Sequence, residues 1–314
     1  MGAGIVTSSG RVGMPRSQRS SPSEASAPPR GLSMTGDRLR RSATIHTDGT
    51  LMASDGQAIS YRTTVPPGKP AAVVVMQQGT LGKPEYFDQM GEALAQNGIK
   101  SYAVGSRTEA PNFKQHATDL DAVVKLARHE NPGARVTVMG VSLGSMIALD
   151  WSARFNPTHA PVVAMSPVVM NKFLGPGDTL KVAAGFVSES AARWPVNTPM
   201  SKHVPLTTDP ASPEAHLTRP ETMKVPAGLF DDVGKMTADI AWHGRRMQGP
   251  LLVSLAGSDG VAINGATQAF THLIGAQDKQ VVTIEGAAHD LSQEVNHADW
   301  VQTLSSWVLK HARP

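Results

Sequence analysis

The stretch "RVTVMGVSLGSMIALDW", Arg135–Trp151, sets an apolar, β-branched run against a helical pattern with almost nothing between them. The joint is a serine, Ser142, enclosed by Gly140 and Gly144. A run of this kind reads as a buried strand, and the residues from Leu143 onward read as a helix. The five residues Gly140-Val141-Ser142-Leu143-Gly144 fit the G-x-S-x-G pattern, which is weak alone and gains meaning only after a strand and before a helix. Glycine at both flanks lets the two elements pass closely at a sharp, strained turn. Such a turn raises the hydroxyl above the C-terminal edge of a sheet. The helix start behind it offers unpaired N–H groups and partial positive charge to a developing anion. The plainer alternative is an ordinary strand–helix turn with a structural serine.

Outward from this joint the chain alternates. Upstream, "AAVVVMQQG" (71–79) reads as a buried strand, "PEYFDQMGEALAQNG" (84–98) as a helix opened by proline and closed by Asn-Gly, and "IKSYAVGS" (99–106) as a strand. The segment 116–133 reads as a helix, with Leu120, Val123, Val124 and Ala127 on one face and Asn-Pro-Gly at its end. Downstream come strand 160–169, strand 250–257, helix 265–275, strand 280–289 and helix 296–311. Before all of these, residues 44–66 carry two Asp-Gly turn signals beside β-favouring stretches, as antiparallel strands would. Short strands alternating with helices predict an α/β fold with a mostly parallel central sheet covered on both faces. The alternation breaks at 170–248, a proline-rich stretch too long for a plain loop. It is read as a helical cap inserted between a first core part, 43–169, and a second, 249–314.

Composition narrows the function classes. The chain has 314 residues, no cysteine, 40% hydrophobic and 18% charged residues, so it can bury a large core and has no disulfide, thiolate metal site or cysteine nucleophile. Residues 1–42 hold seven arginines, no lysine and two acids, among Gly, Ser and Pro. They read as a disordered basic tail. The other 272 residues carry 22 basic and 24 acidic side chains, so the folded part offers no electrostatic case for nucleic acid. The tail could make weak contact with an anionic surface. With no secretory signal and no transmembrane run, the chain reads as cytoplasmic, although an Arg- and Ser-rich, acid-poor tail also suits a targeting or export leader.

A serine hydroxyl needs a base, and that base needs a carboxylate behind it. In a sheet of this kind the acid follows the serine in sequence and the histidine comes last. His289 ends the last expected strand in "EGAAHDLSQE", at the same sheet edge as Ser142. His297 and His311, on or beside the terminal helix, read as surface residues. Asp259 directly follows "LLVSLAG" and is the expected acid, with Asp290 as fallback; Asp278 falls at the opposite sheet edge. Two N–H donors for an oxyanion are expected from Leu143 and from Thr80 in "QQGTLGKPEYF".

These residues together resemble an α/β-hydrolase, most similar to the monoacylglycerol lipase, lysophospholipase and serine aminopeptidase-like branch, over about residues 44–314. The carriers are "SDGQAISYRTTVP" as the opening hairpin, "QGTLGKPEYF" at the oxyanion loop, "GVSLG", the acid turn "LAGSDGVAIN", and "EGAAHDLSQE" with its trailing Glu294. Two departures stand out. Gln78 replaces the usual histidine before Gly79, and the "GSRTEAPN" loop lacks the usual glycines. The resemblance implies ester hydrolysis through an acyl-serine, with no cofactor and no metal, on a small acyl ester or lipid of acylglycerol or lysophospholipid type. In the cap, Phe173, Phe186, Trp194, Phe230, Met236 and Trp242 either line an acyl site or pack the cap on the core. The rival readings are a thioesterase, an aminopeptidase using Glu189, Glu214, Glu221, Asp231 or Asp232 for a substrate ammonium, and a non-catalytic binding module.

Overall fold

The computed structural model describes residues 44–79, 82–105, 113–156, 159–172, 175–198, 204–217 and 223–312. The basic tail, Thr80, Phe173 and Glu221 therefore lie outside the described residues. Only the second Asp-Gly signal is a turn: β1 (Ile45–Met52) and β2 (Ala58–Val65) form a long hairpin closed around the positive-φ Gly56, whereas Asp48-Gly49 lies within β1, paired with Arg62 and Tyr61. The alternating units that follow are β3 (Ala72–Gln77), α1 (Asp88–Gln96), β4 (Ile99–Val104), α2 (Phe113–Glu130), β5 (Val136–Val141), α3 (Leu143–Phe155) and β6 (Val162–Met165). The inserted segment contains α4 (Pro176–Gly185), α5 (Glu189–Ala192), β7 (Pro195–Thr198), β8 (Met223–Pro226) and α6 (Ala227–His243). The chain then closes with β9 (Leu251–Ala256), α7 (Asn264–Thr271), β10 (Lys279–Ile284) and α8 (Ala298–His311).

Among the described residues eight strands form one sheet in the order β1-β2-β4-β3-β5-β6-β9-β10. β1 and β2 are antiparallel additions at one edge, and every pairing from β4 to β10 is parallel. The parallel arrangement accounts for the unbroken apolar runs. β3 and β5 are buried at every position because helices cover both faces. Alternate residues divide between the two faces. Val73, Val75, Val136 and Val138 join α2, α3 and α6 in one core cluster, while Val74, Met76, Met139 and Val141 join α1 and α8 in the other. Trp151, fully buried in the first cluster, donates its indole N–H to Asp121 on α2 at 3.0 Å.

The insertion is less helical than its sequence suggests. It includes an antiparallel two-stranded sheet, β7–β8, in addition to helices. Its last helix also belongs with the core layer. α6 packs on α3, burying Met236 and Ile240 in the first core cluster, and Arg154 of α3 joins Asp150 of its own helix to Asp239 of α6. Met236 is thus a packing residue rather than a lining candidate, whereas Trp242 at the far end of α6 is 78% exposed. An Ile240→Ala variant should lose roughly 2–5 kcal/mol of global stability, as a core deletion does. Urea unfolding measures this, and a loss of a few tenths would mean that α6 can detach with the rest of the insertion.

Candidate active site

The turn after β5 is built by close approach of backbone. A Cβ on Gly140 would sit 2.1 Å from the carbonyl oxygen of Gly144 and 2.6 Å from the nitrogen of Ser145. One on Gly144 would sit 2.3 Å from the carbonyl oxygen of Gln77 and 2.4 Å from that of Gln78. The two glycines therefore supply room, first for the turn to fold on itself and then for it to lie against the end of β3. The conformational strain sits on the residue between them. Ser142 has φ 56° and ψ −124°, a left-handed backbone uncommon outside glycine. It is held there by its N–H to the carbonyl of Met165 (2.8 Å) and by Ser145, whose N–H returns to the carbonyl of Ser142 at 3.0 Å. The hydroxyl of Ser145 also donates toward the carbonyls of Gly140 (2.8 Å) and Met165 (2.7 Å).

The loop after β9 brings Asp259, and the loop after β10 brings His289, to the same edge. His289 Nε2 lies 2.9 Å from Ser142 Oγ, and its Nδ1 lies 2.9 Å from both oxygens of Asp259. His289 and Asp259 are buried, while Ser142 is partly open. Asp259 Oδ1 also accepts the N–H groups of Val261 and Ala262, each at 2.8 Å. Burial pushes the Asp259 carboxyl up, but the bond and charge of His289 and these two N–H groups outweigh it, and the group is held below the ordinary carboxylate value. Asp290 takes no part in this chain of contacts. Its Oδ1 accepts from the N–H and hydroxyl of Ser292, and burial raises its pKa. Asp278 is at the far edge, against His311 and Lys310.

Of the two expected N–H donors, Leu143 is the first residue of α3, where a backbone N–H has no partner within the helix. Thr80 lies outside the described residues, but its neighbour Gly79 is placed. A Cβ there would stand 3.0 Å from Ser142 Cβ and 3.5 Å from Ser142 Oγ, so the β3 loop runs directly beside the serine. Gln78, in the place of the family's histidine, is buried, and its side-chain amide nitrogen has no hydrogen-bond partner among the described residues.

Several residues at the site gave no sequence signal. Lys172 donates its ammonium to the carbonyl of Asp259, and its N–H to the carbonyl of Val261 at 2.9 Å, tying the start of the insertion to the acid turn. Ser145 braces the serine turn as described. His297, read as a surface residue, lies 3.0 Å from the buried carboxylate of Glu294, and His311 is itself buried. Among the residues suggested for an acyl site, Phe186 and Trp194 are about half exposed, and Phe230 is partly buried. Among the described residues no helix is long and apolar enough to cross a membrane.

A mostly parallel sheet flanked by helices, with a serine on a strained strand–helix turn at its C-terminal edge, defines an α/β-hydrolase. Within that class, the family described as serine aminopeptidase, S33 (Hydrolase_4), matches residues 68–296, and the chain belongs to it. The chain is 21% identical over 267 residues to a monoacylglycerol lipase of Mycolicibacterium smegmatis, covering 82% of this chain and 94% of that one. Among solved structures it resembles a soluble variant of the monoglyceride lipase of Saccharomyces cerevisiae in complex with a substrate analog. There the TM-score is 0.71 and the identity 14%, over 88% of this chain and 98% of that one. A thermostable carboxyl esterase of Bacillus coagulans in complex with glycerol gives a TM-score of 0.65 at 14% identity, over 85% and 98%.

Proposed function

We propose that this chain is a serine hydrolase that cleaves carboxylic esters, of monoacylglycerol or lysophospholipid type, through an acyl-serine. The observation that carries the reading is the unbroken line of contacts Ser142–His289–Asp259, each of 2.9 Å. Asp259, acceptor-only when ionised, fixes the proton of His289 on Nδ1 and leaves Nε2 as the base facing Ser142. His289 then takes the hydroxyl proton as Ser142 Oγ attacks the ester carbonyl, and later hands it to the departing alcohol. The N–H groups of Leu143 and Thr80 hold the oxyanion. Water attacks the acyl-serine with His289 again as base, and the carboxylic acid leaves. The monoacylglycerol part of this choice is supported by the named activity of the M. smegmatis and S. cerevisiae relatives. The insertion between β6 and α6 is proposed to set the acyl-chain range. The aminopeptidase alternative has fewer acids to draw on, since Asp231 already accepts from Lys235.

The test is a substrate panel on the full chain: p-nitrophenyl esters, monoacylglycerols, lysophospholipids, thioesters and aminoacyl-anilides. Monoacylglycerols or short esters should turn over fastest. Ser142→Ala should lose activity by a factor on the order of 10⁶ and lose labelling by a fluorophosphonate probe. Faster anilide or thioester turnover would replace the substrate class, and a wild-type chain that the probe does not label would refute hydrolysis altogether.

A further inference from the structure

Glu294 is a fully buried carboxylate that the mechanism above does not use. One of its oxygens accepts the backbone N–H of Thr208 and that of Ala288, the latter at 3.2 Å. The other accepts the hydroxyl of Thr208 and lies 3.0 Å from His297 Nε2. These partners come from three separate places. Thr208 belongs to the insertion, between β7 and β8. Ala288 immediately precedes His289. His297 stands at the start of α8. Burying a carboxylate is costly unless its acceptor sites are filled, and here each oxygen has two partners.

The same two segments are joined elsewhere. The N–H of Asp290 donates to the carbonyl of Leu206 at 2.7 Å, and Ser212 donates its hydroxyl to Gln293 Oε1 at 2.6 Å. His289 therefore sits between two residues whose N–H groups are both spoken for: Ala288 by Glu294, and Asp290 by the insertion. Asp259 fixes the rotation of the imidazole, but the position of the backbone that carries it is set from this side. A buried carboxylate with all its acceptor sites filled, here by partners reaching in from the partly open side, favours one arrangement of the segments that hold it, which makes it a means of fixing geometry.

We infer that Glu294 is a positioning residue for His289, acting by tying the histidine loop to residues 206–212 of the insertion, so that this part of the insertion is a fixed strap and not a moving lid. The inference rests on the hydrolase reading above. Its test compares Glu294→Ala, Glu294→Gln and Thr208→Val in the full chain, using p-nitrophenyl butyrate turnover and the rate of fluorophosphonate labelling, with melting temperature recorded for each.

Glutamine keeps one carbonyl oxygen for both backbone N–H groups, and its amide can donate to the Thr208 hydroxyl, so Glu294→Gln should stay within about threefold of wild type. Glu294→Ala should lower kcat on the order of 10–100-fold with KM nearly unchanged, and slow labelling in parallel, as expected for a displaced base. Thr208→Val, which retains both backbone bonds, should fall between them, and it reads the same link if the alanine variant does not fold. A folded Glu294→Ala or Thr208→Val with wild-type kcat, a change confined to KM, or a glutamine variant as poor as alanine would overturn the inference. If the wild-type chain is itself unlabelled at Ser142, the hydrolase reading fails and takes this one with it. If wild type is labelled and the variants are unaffected, only this one fails.

Discussion

Asp259→Asn should lower kcat for the preferred ester by about 10⁴-fold with KM little changed, and His289→Ala should do worse, near the 10⁶ of a lost nucleophile or base. The reason is a matter of tautomers. The two Asp259 oxygens can only accept, so Nδ1 of His289 must donate and Nε2 must be bare toward Ser142. An asparagine would keep its carbonyl for Val261 and Ala262 N–H, as Asp259 Oδ1 does now, and turn its amide toward Nδ1. Nδ1 would then accept, the proton would move to Nε2, and the serine would face a donor instead of a base.

The same substitution has a signature in stability. Against the pull of burial, the bonds from His289, Ala262 and Val261 depress the folded pKa of Asp259. A depressed carboxyl contributes stability that is full above its unfolded value, about 3.9, and is lost as pH falls through the folded value. Urea midpoints measured downward from pH 6 should therefore drop less steeply below about pH 4 in Asp259→Asn than in wild type. Full activity in Asp259→Asn together with its loss in Asp290→Asn would transfer the acid's role to the neighbour of His289.

The parts of this molecule that were legible in the sequence are those whose cause is local. The α3 helix, Leu143–Phe155, begins where its pattern predicts, because strand, glycine pair and helix all lie within twenty residues. Ser142, Asp259 and His289 follow β5, β9 and β10 by one, three and five residues, and the parallel sheet carries all three strand ends to one edge; β10 stops at Ile284, short of the His289 to which its pattern extends. The apolar pattern around Val163 extends over 160–169, but β6 is shorter. It stops at Met165, where Ser166 takes φ 46° before Pro167. Beyond such local causes the pattern says little. The apolar face of α6 does not announce whether it meets a cap or the core, and only its docking on α3 decides. Thr208 and Glu294 are 86 residues apart, as are the two ends of the Ser212–Gln293 bond to within a few positions, and no spacing rule connects them. Lys172 reads as an ordinary surface lysine until the acid turn is placed beside it.

Gly140→Ala and Gly144→Ala should each abolish probe labelling of Ser142, or prevent soluble folding, although a single methyl group is added. The size of the effect follows from what the methyl meets. At both sites the obstacles within 2.1–2.6 Å are backbone atoms: the carbonyl of Gly144 and the nitrogen of Ser145 for one, the carbonyls of Gln77 and Gln78 for the other. A flexible side chain could swing away, but these atoms belong to the turn, to the helix start and to the end of β3. Relief requires the helix to move off the strand. Overpacking of a core typically costs about 1–3 kcal/mol, and a clash with backbone on both sides belongs at or above the top of that range. Movement of the turn by even about 1 Å would also carry Ser142 out of reach of His289, costing on the order of 10²-fold in rate before any stability loss is counted. Gly79→Ala is the graded case. Its methyl would meet Ser142 Cβ at 3.0 Å and the Val141 carbonyl at 3.2 Å, so the fold should survive while the serine is displaced and labelling slows. Gly265→Ala, at the second residue of α7 with open space around it, is the opposite control and should fold and label as wild type does. Normal labelling of a folded Gly144→Ala chain would mean that the serine turn does not depend on its contact with β3, and the account of the G-x-S-x-G pattern as a device for backbone approach would fall.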